Sequence, residues 1–274
     1  MKKILSIIIG LTTVLSLGFT IAFSDQSSSG GESNTNNEVL ELSNGENEKI
    51  GFLNGIEDVP TPITDEQQIL DAKKQNLSSA QISQIQQKLN NVMPTNHIVP
   101  YATWYYLASS YTVYIQQRPT WCMAACAQST LKYLTGSAPI QKDAATDIGI
   151  VSGSGGDLYS LRKYYNDMQK VNGYVYKSNT TSKGEMLSNM YLGITYYDAP
   201  ITAGIVVNDP NGEWPYTTPG HATIVRGIKS DNLFVQLADP GVQYWNPNLN
   251  PYFIVSTDEL YKAVSYSTKC GYLY

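Results

Sequence analysis

The chain is poor in cysteine and poorer in histidine, with three and two among 274 residues. Three cysteines exclude a disulfide-dense scaffold. Two histidines, His97 and His221, leave almost no choice of residue to any chemistry that needs an imidazole. The first hundred positions hold only Phe19, Phe23 and Phe52 as aromatics, while all 21 tyrosines and all four tryptophans lie beyond them. Without bulky side chains that stretch lacks the material for a core of its own. No segment is strongly basic, which excludes a general nucleic-acid binder. No internal repeat is visible, and beyond the first 24 residues no run is apolar enough to span a bilayer.

What is present divides the chain into three parts. Residues 1–24 begin with Lys2 and Lys3, run through an apolar stretch from Ile4 to Ile21, and end on Ala22-Phe23-Ser24. Small residues there suit a cleavage site, so the segment reads as a secretory signal peptide and the protein as secreted. Left uncleaved, it would be a membrane anchor at the cell surface, the one expected contact with a membrane. Residues 25–96 form an acidic leader or pro-segment, expected to be largely disordered. Residues 25–100 carry a charge of −7 against −5 for the whole chain. Within it Ser78 or Ser79 can cap a helix near 78–91 with Ile82, Ile85 and Leu89 on one stripe. Such a helix needs a surface to lie on, either the downstream domain or none if the segment is a plain spacer. Residues 97–274 have the composition of one folded domain of ordinary size.

In that domain the pattern changes from helical to strand-like. One or two strands are expected in 101–114, then a helix from Trp121 to Leu134 capped by Thr120 and closed by Gly136. Asp157 and Ser182 head two more helices. After Pro200, ITAGIVV, HATIVRGI and NLFVQLAD read as strands, the second turning into the third at Ser230-Asp231-Asn232. Thr257 caps a last helix. Helices first and antiparallel strands later predict an α+β fold.

Carbonyl hydrolysis needs a nucleophile, a general base and a group that orients the base. With His97 in the leader, His221 is the base available to the domain. Cys122 falls in the first turn of the expected helix, where free N–H groups and the helix dipole favour an anion. Cys126, one turn deeper among alanines, reads as a small core residue. His221 opens one strand and Asp239 closes its antiparallel neighbour, so the two can meet as an imidazole–carboxylate pair. A zinc site from Cys122, Cys126, His221 and Cys270 is the chemical rival, although paired short-loop ligands are absent. A Cys126–Cys270 disulfide would leave Cys122 free. No cofactor or metal is expected.

Three separated stretches, QQRPTWCMAACAQSTLKYL, GHATIVRGI and LADPG, occur in this order. Together they resemble the bacterial papain-like cysteine peptidases, in particular the secreted group related to bacteriocin-leader-processing peptidases and to the type III effector peptidases. The resemblance spans about residues 97–274. It implies a papain-like fold, with a helical part carrying the Cys helix packed on a C-terminal antiparallel sheet. It implies Cys122 as nucleophile, His221 as general base and acid, and Asp239 as the orienting group. An upstream glutamine donates to the oxyanion in this family; the six-residue offset favours Gln116 over Gln117. The C-G-S-C-W signature of plant and animal papains is missing, Asp239 stands where those enzymes have Asn, and no Trp follows it closely. Gly155-Gly156 could present backbone to an extended substrate. The activity implied is a secreted, monomeric cysteine peptidase made as a zymogen, acting on protein or peptide. The alternatives are an acyl-transfer enzyme (a transglutaminase or cell-wall amidase) and an inactive binding module on the same fold.

Overall fold

The computed structural model describes residues 63–90, 103–150, 155–208 and 212–274, all within one compact unit, Asn47–Tyr274. The expected signal segment, the polar stretch up to residue 62 and His97 lie outside the described residues.

In chain order the elements are α1 (Asp65–Lys74), α2 (Ser79–Leu89), β1 (Trp104–Tyr106), α3 (Cys122–Thr135), α4 (Gln141–Ile148) and α5 (Leu158–Met168). There follow β2 (Tyr176–Ser178), α6 (Lys183–Thr195), β3 (Ile201–Val207), β4 (Thr218–Lys229), β5 (Phe234–Ala238) and α7 (Val242–Trp245). The chain closes with β6 (Tyr252–Ser256), α8 (Thr257–Ser265) and β7 (Gly271–Leu273). The strands form one antiparallel sheet in the order β2-β7-β3-β4-β5-β6, with β1 also paired to β4. The fold is α+β.

The sheet centre is β3, whose ITAGIVV sequence is buried at every position. A strand covered on both faces reads as a continuous apolar run rather than an alternation. Helix α3 packs on β4 through Cys122–Ala127, all buried. Apart from Met123, the side chains of its first half are small, which allows that close approach. Gly136 ends α3 in the left-handed conformation at φ 76°. Asp157 caps α5 as its side chain accepts from the Ser160 N–H, and Ser182 does the same for Glu185. Two expected caps are displaced by one residue. Trp121, not Thr120, stands at the N-cap of α3, and Ser256, not Thr257, caps α8. The β4–β5 turn follows its sequence, with Asn232 at φ 56° and its N–H on the Lys229 carbonyl.

Helices α1 and α2 belong to the same core as the rest. Ala72, Leu77, Ile85 and Leu89 are buried in it. Ser78 caps α2 in a reciprocal capping box with Gln81. The seam is made of polar side chains on backbone. The Gln68 amide donates to the Tyr176 carbonyl (2.9 Å) and accepts from its N–H (2.8 Å), pairing with β2 at the end of the sheet order. Gln81 donates to the carbonyls of Asn166 and Gln169, and Gln84 accepts from the Gly173 N–H. A Cβ at Gly173 would lie 2.5 Å from the Gln81 carbonyl oxygen, so glycine is required for this approach. Lys88 is buried with its ammonium on Asn172 (2.9 Å) and 4.2 Å from the Tyr197 ring centroid. Burial pushes its pKa well below the usual lysine range. The Tyr274 hydroxyl donates to the Lys88 carbonyl.

Candidate active site

The N-terminus of α3 carries Cys122 as its first helical residue. Trp121 makes no side-chain capping bond, so the first N–H groups of the helix have no side-chain acceptor from their own cap. That leaves the dipole end open toward whatever sits beside Cys122.

The β4–β5 register sets the imidazole beside its partner. Ile224 faces Ala238, so Asp239 continues the strand opposite Thr223, diagonal to His221 on the same face. His221 Nε2 lies 2.9 Å from Asp239 Oδ1. That oxygen also accepts from the N–H groups of Gly241 (2.8 Å) and Val242 (3.1 Å), while the Tyr216 hydroxyl donates to Oδ2 at 2.5 Å. The Asp239 N–H is held by the Pro251 carbonyl. Cys122, His221 and Asp239 are all buried, at 1%, 2% and 0% exposure.

Burial opposes charge on both members of the pair, and the pair overcomes it. For His221 desolvation acts downward, but the charge and hydrogen bond of the Asp239 carboxylate, with the nearby Cys122 side chain, push the imidazole up to about 10. For Asp239 desolvation acts upward, but the charge and hydrogen bond of His221, with those of Tyr216 and Gly241, hold it below the usual carboxylate range. His221 is hydrogen-bonded to Asp239 and lies near enough to the Cys122 side chain for its charge to be influenced by it. Cys126, by contrast, is pushed well up by burial and rests on the Ala222 carbonyl. Cys270 is also pushed up, to about 12, by burial. All three cysteines are free, so no Cys126–Cys270 disulfide forms: Cys126 lies under β4, whereas Cys270 precedes β7 beside Tyr176. Among the described residues no group of three His, Cys, Asp or Glu side chains is disposed to hold a metal ion.

The two candidate glutamines part company. Gln117 is exposed, whereas Gln116 is 2% exposed. Its backbone N–H donates to the Pro240 carbonyl, and Gln141 from α4 clamps the residues on either side of it, Ile115 and Gln117. A Cβ built on Gly241 would touch both the His221 ring and Gln116 Oε1, so these groups share one small space. The Gln116 Nε2 donates to the carbonyls of Arg118 (3.0 Å) and Pro119 (3.1 Å), and Oε1 is buried without a partner.

Aromatic rings line the other side of the imidazole. Trp245 lies 5.0 Å from its centroid, and Tyr216 meets it edge-on at 5.8 Å. Neither is marked in the sequence. Trp245 stands six residues beyond Asp239 and returns to the ring only because α7 is a single helical turn. Tyr216 is one tyrosine among 21, distinguished by nothing but its place five residues before His221. Gly155 has φ 72°, and the buried Gly156 after it sits beside Met123 of the Cys helix and Ile148.

No protein-family model and no curated protein matches the chain. Among solved structures the chain is similar to xylellain, a cysteine protease from Xylella fastidiosa. The match has 12% identity and a TM-score of 0.42, and covers 62% of this chain and 84% of that one. Among the described residues no helix is long and apolar enough to cross a membrane.

Proposed function

We propose that the protein is a papain-like cysteine peptidase that hydrolyses peptide bonds through Cys122, His221 and Asp239. The observation carrying this reading is the imidazole of His221, buried against a carboxylate that accepts four hydrogen bonds and near the thiol that opens helix α3. A structural histidine needs one satisfied partner; an imidazole paired with an acid and set near a nucleophile has the arrangement of a general base.

The steps follow from the groups present. The Cys122 sulfur attacks the peptide carbonyl carbon, forming a C–S bond and placing charge on the carbonyl oxygen. The Cys122 N–H, at the uncapped start of α3, points to that oxyanion. Gln116 joins it by redirecting an N–H from the Arg118 and Pro119 carbonyls toward an oxyanion, a stronger acceptor than either. His221 gives its proton to the leaving amine as the C–N bond breaks. It then takes a proton from water, which attacks the acyl-enzyme and releases the acid and the thiolate. Asp239 fixes which nitrogen faces Cys122 and stabilises the imidazolium.

The protein is further proposed to be secreted and made as a precursor, on the strength of its N-terminal segment. The packing of α1 and α2 into the core supports a leader that, if removed, ends before Thr64. Replacing Cys122→Ala should abolish casein hydrolysis while leaving the melting transition in place. Persistent cleavage by that variant refutes the assignment. A thiol-directed epoxide separates an inactive binding module, which would show no selective labelling of Cys122. Peptide acceptors separate an acyl-transfer enzyme, whose product would carry the acceptor amine instead of water. N-terminal sequencing of protein from the medium reads secretion and processing together.

A further inference from the structure

Asp239 is held more elaborately than a partner for one imidazole requires. Oδ1 is shared by His221 Nε2 and two backbone N–H groups, and Oδ2 takes the Tyr216 hydroxyl at 2.5 Å. The torsion that aims a carboxylate is soft and nearly two-fold. With backbone donors on Oδ1 alone, the group could rock about that oxygen. A donor on Oδ2 removes this freedom.

Tyr216 is itself fixed by rings. It packs at 4.6 Å on Trp245, at 6.0 Å on Trp214 and at 6.5 Å on Phe253, besides its edge contact with His221. We propose that Tyr216 is a positioning residue of the site: its hydroxyl locks the Asp239 carboxylate so that Oδ1 stays aimed at His221. This deepens the peptidase reading and rests on it. The hydroxyl remains a donor throughout the working range, since burial and the neighbouring carboxylate push its pKa well above the usual tyrosine value.

The titratable groups facing the pair are Cys122 and Cys126 from α3 and Tyr216 from the segment before β4. Of these Tyr216 alone bonds Asp239 through its side chain, beside His221 itself. Removing the hydroxyl takes away one hydrogen bond that favours the ionised carboxylate, so Asp239 titrates at higher pH. The acid limb of any reaction that needs the imidazolium–carboxylate pair moves up with it.

The test is Tyr216→Phe, which keeps the ring and its contacts, in the full-length protein and in an Asp239→Asn background. Three quantities are read: kcat and KM on casein-derived peptides, the pH dependence of Cys122 alkylation by iodoacetamide, and the melting temperature. The expected result is a fall in kcat of roughly ten- to hundredfold with KM little changed. The acid limb of alkylation should move to higher pH, and no further loss should appear in the Asp239→Asn background. A lowered melting temperature with an unmoved acid limb marks a packing role and overturns the proposal. An equal loss in the Asp239→Asn background does so as well. A wild-type protein whose Cys122 is alkylated no faster in mild acid than Cys126 and Cys270 would instead overturn the peptidase reading itself.

Discussion

Gly241 offers a sharp test of the site because its backbone tolerates a side chain and its surroundings do not. Its φ of −94° and ψ of −28° are ordinary for alanine. A Cβ there would lie 2.6 Å from His221 Cε1, 3.0 Å from Nε2 and 3.1 Å from Gln116 Oε1. Carbon atoms in contact sit about 3.5 Å apart, so the imidazole must withdraw by about 1 Å. The 2.9 Å bond to Asp239 is lost or bent in that movement, and the approach to Cys122 changes with it. A displacement of about 1 Å in a reacting group costs on the order of 100-fold in rate. Overpacking of this kind costs roughly 1–3 kcal/mol of stability, well within what a domain of this size can lose. Gly241→Ala should therefore remain folded by circular dichroism yet hydrolyse fluorescent casein on the order of 100 times more slowly. Its Cys122 should also be alkylated more slowly at neutral pH. Gly184→Ala serves as the control, since nothing lies within 4 Å of a Cβ there. Wild-type turnover by Gly241→Ala would show that His221 does not act from its observed position, and the proposed mechanism would fall.

Two further predictions concern the fold and its charge. A chain starting at Ile63 should melt like the full-length protein. One starting at Asn91 loses Leu77, Ile85 and Leu89 from the core, roughly 5–8 kcal/mol of apolar burial, and should be unfolded or aggregated by thermal scanning. The His221–Asp239 contact makes stability depend on pH in a defined direction. The imidazole rises from 6.5 to about 10 on folding, so its stabilisation is complete below 6.5 and is lost as pH climbs through about 10. The Asp239 carboxyl falls below its ordinary 3.8, so its share is present above that value and disappears as pH drops below it. The melting-temperature gap between wild type and His221→Gln should accordingly be widest between pH 3.8 and 6.5 and close at both extremes; a gap that does not change with pH refutes the pairing.

The strands were legible because β3, β4 and β5 carry β-branched runs with a turn between the last two, and the antiparallel pairing follows from that turn alone. The same register brings His221 and Asp239 within reach. Cys122 was visible through its place at a helix start, although the cap proved to be Trp121, because φ and ψ at a helix entry are decided by the tertiary approach of the chain as much as by the capping side chain. Spacing favours Gln116 over Gln117 only by the family's offset; burial separates the two directly, Gln116 being enclosed beside His221 and Gln117 exposed. Tyr216, Trp245 and Gln141 escaped notice because each acts through a contact made across the fold, with no period or motif to announce it. The polar α1–α2 segment posed a different difficulty. Its composition lacks aromatics, yet its glutamines bond to backbone groups distant in sequence and its few aliphatic residues complete a core built elsewhere.

That seam has a consequence for the order in which the molecule can form. Gln68 pairs with Tyr176, 108 positions away, and the Lys88 carbonyl receives the Tyr274 hydroxyl across 186. Among the described elements α1 and α2 are synthesised first, and they must wait for the segment after β7 before their buried faces are covered. Contacts of such separation are closed late and at a high entropic cost. Until they close, the Cys122 helix and the His221 strand rest on an unfinished core, so catalytic competence should arrive with the final strand instead of accumulating as the ribosome proceeds.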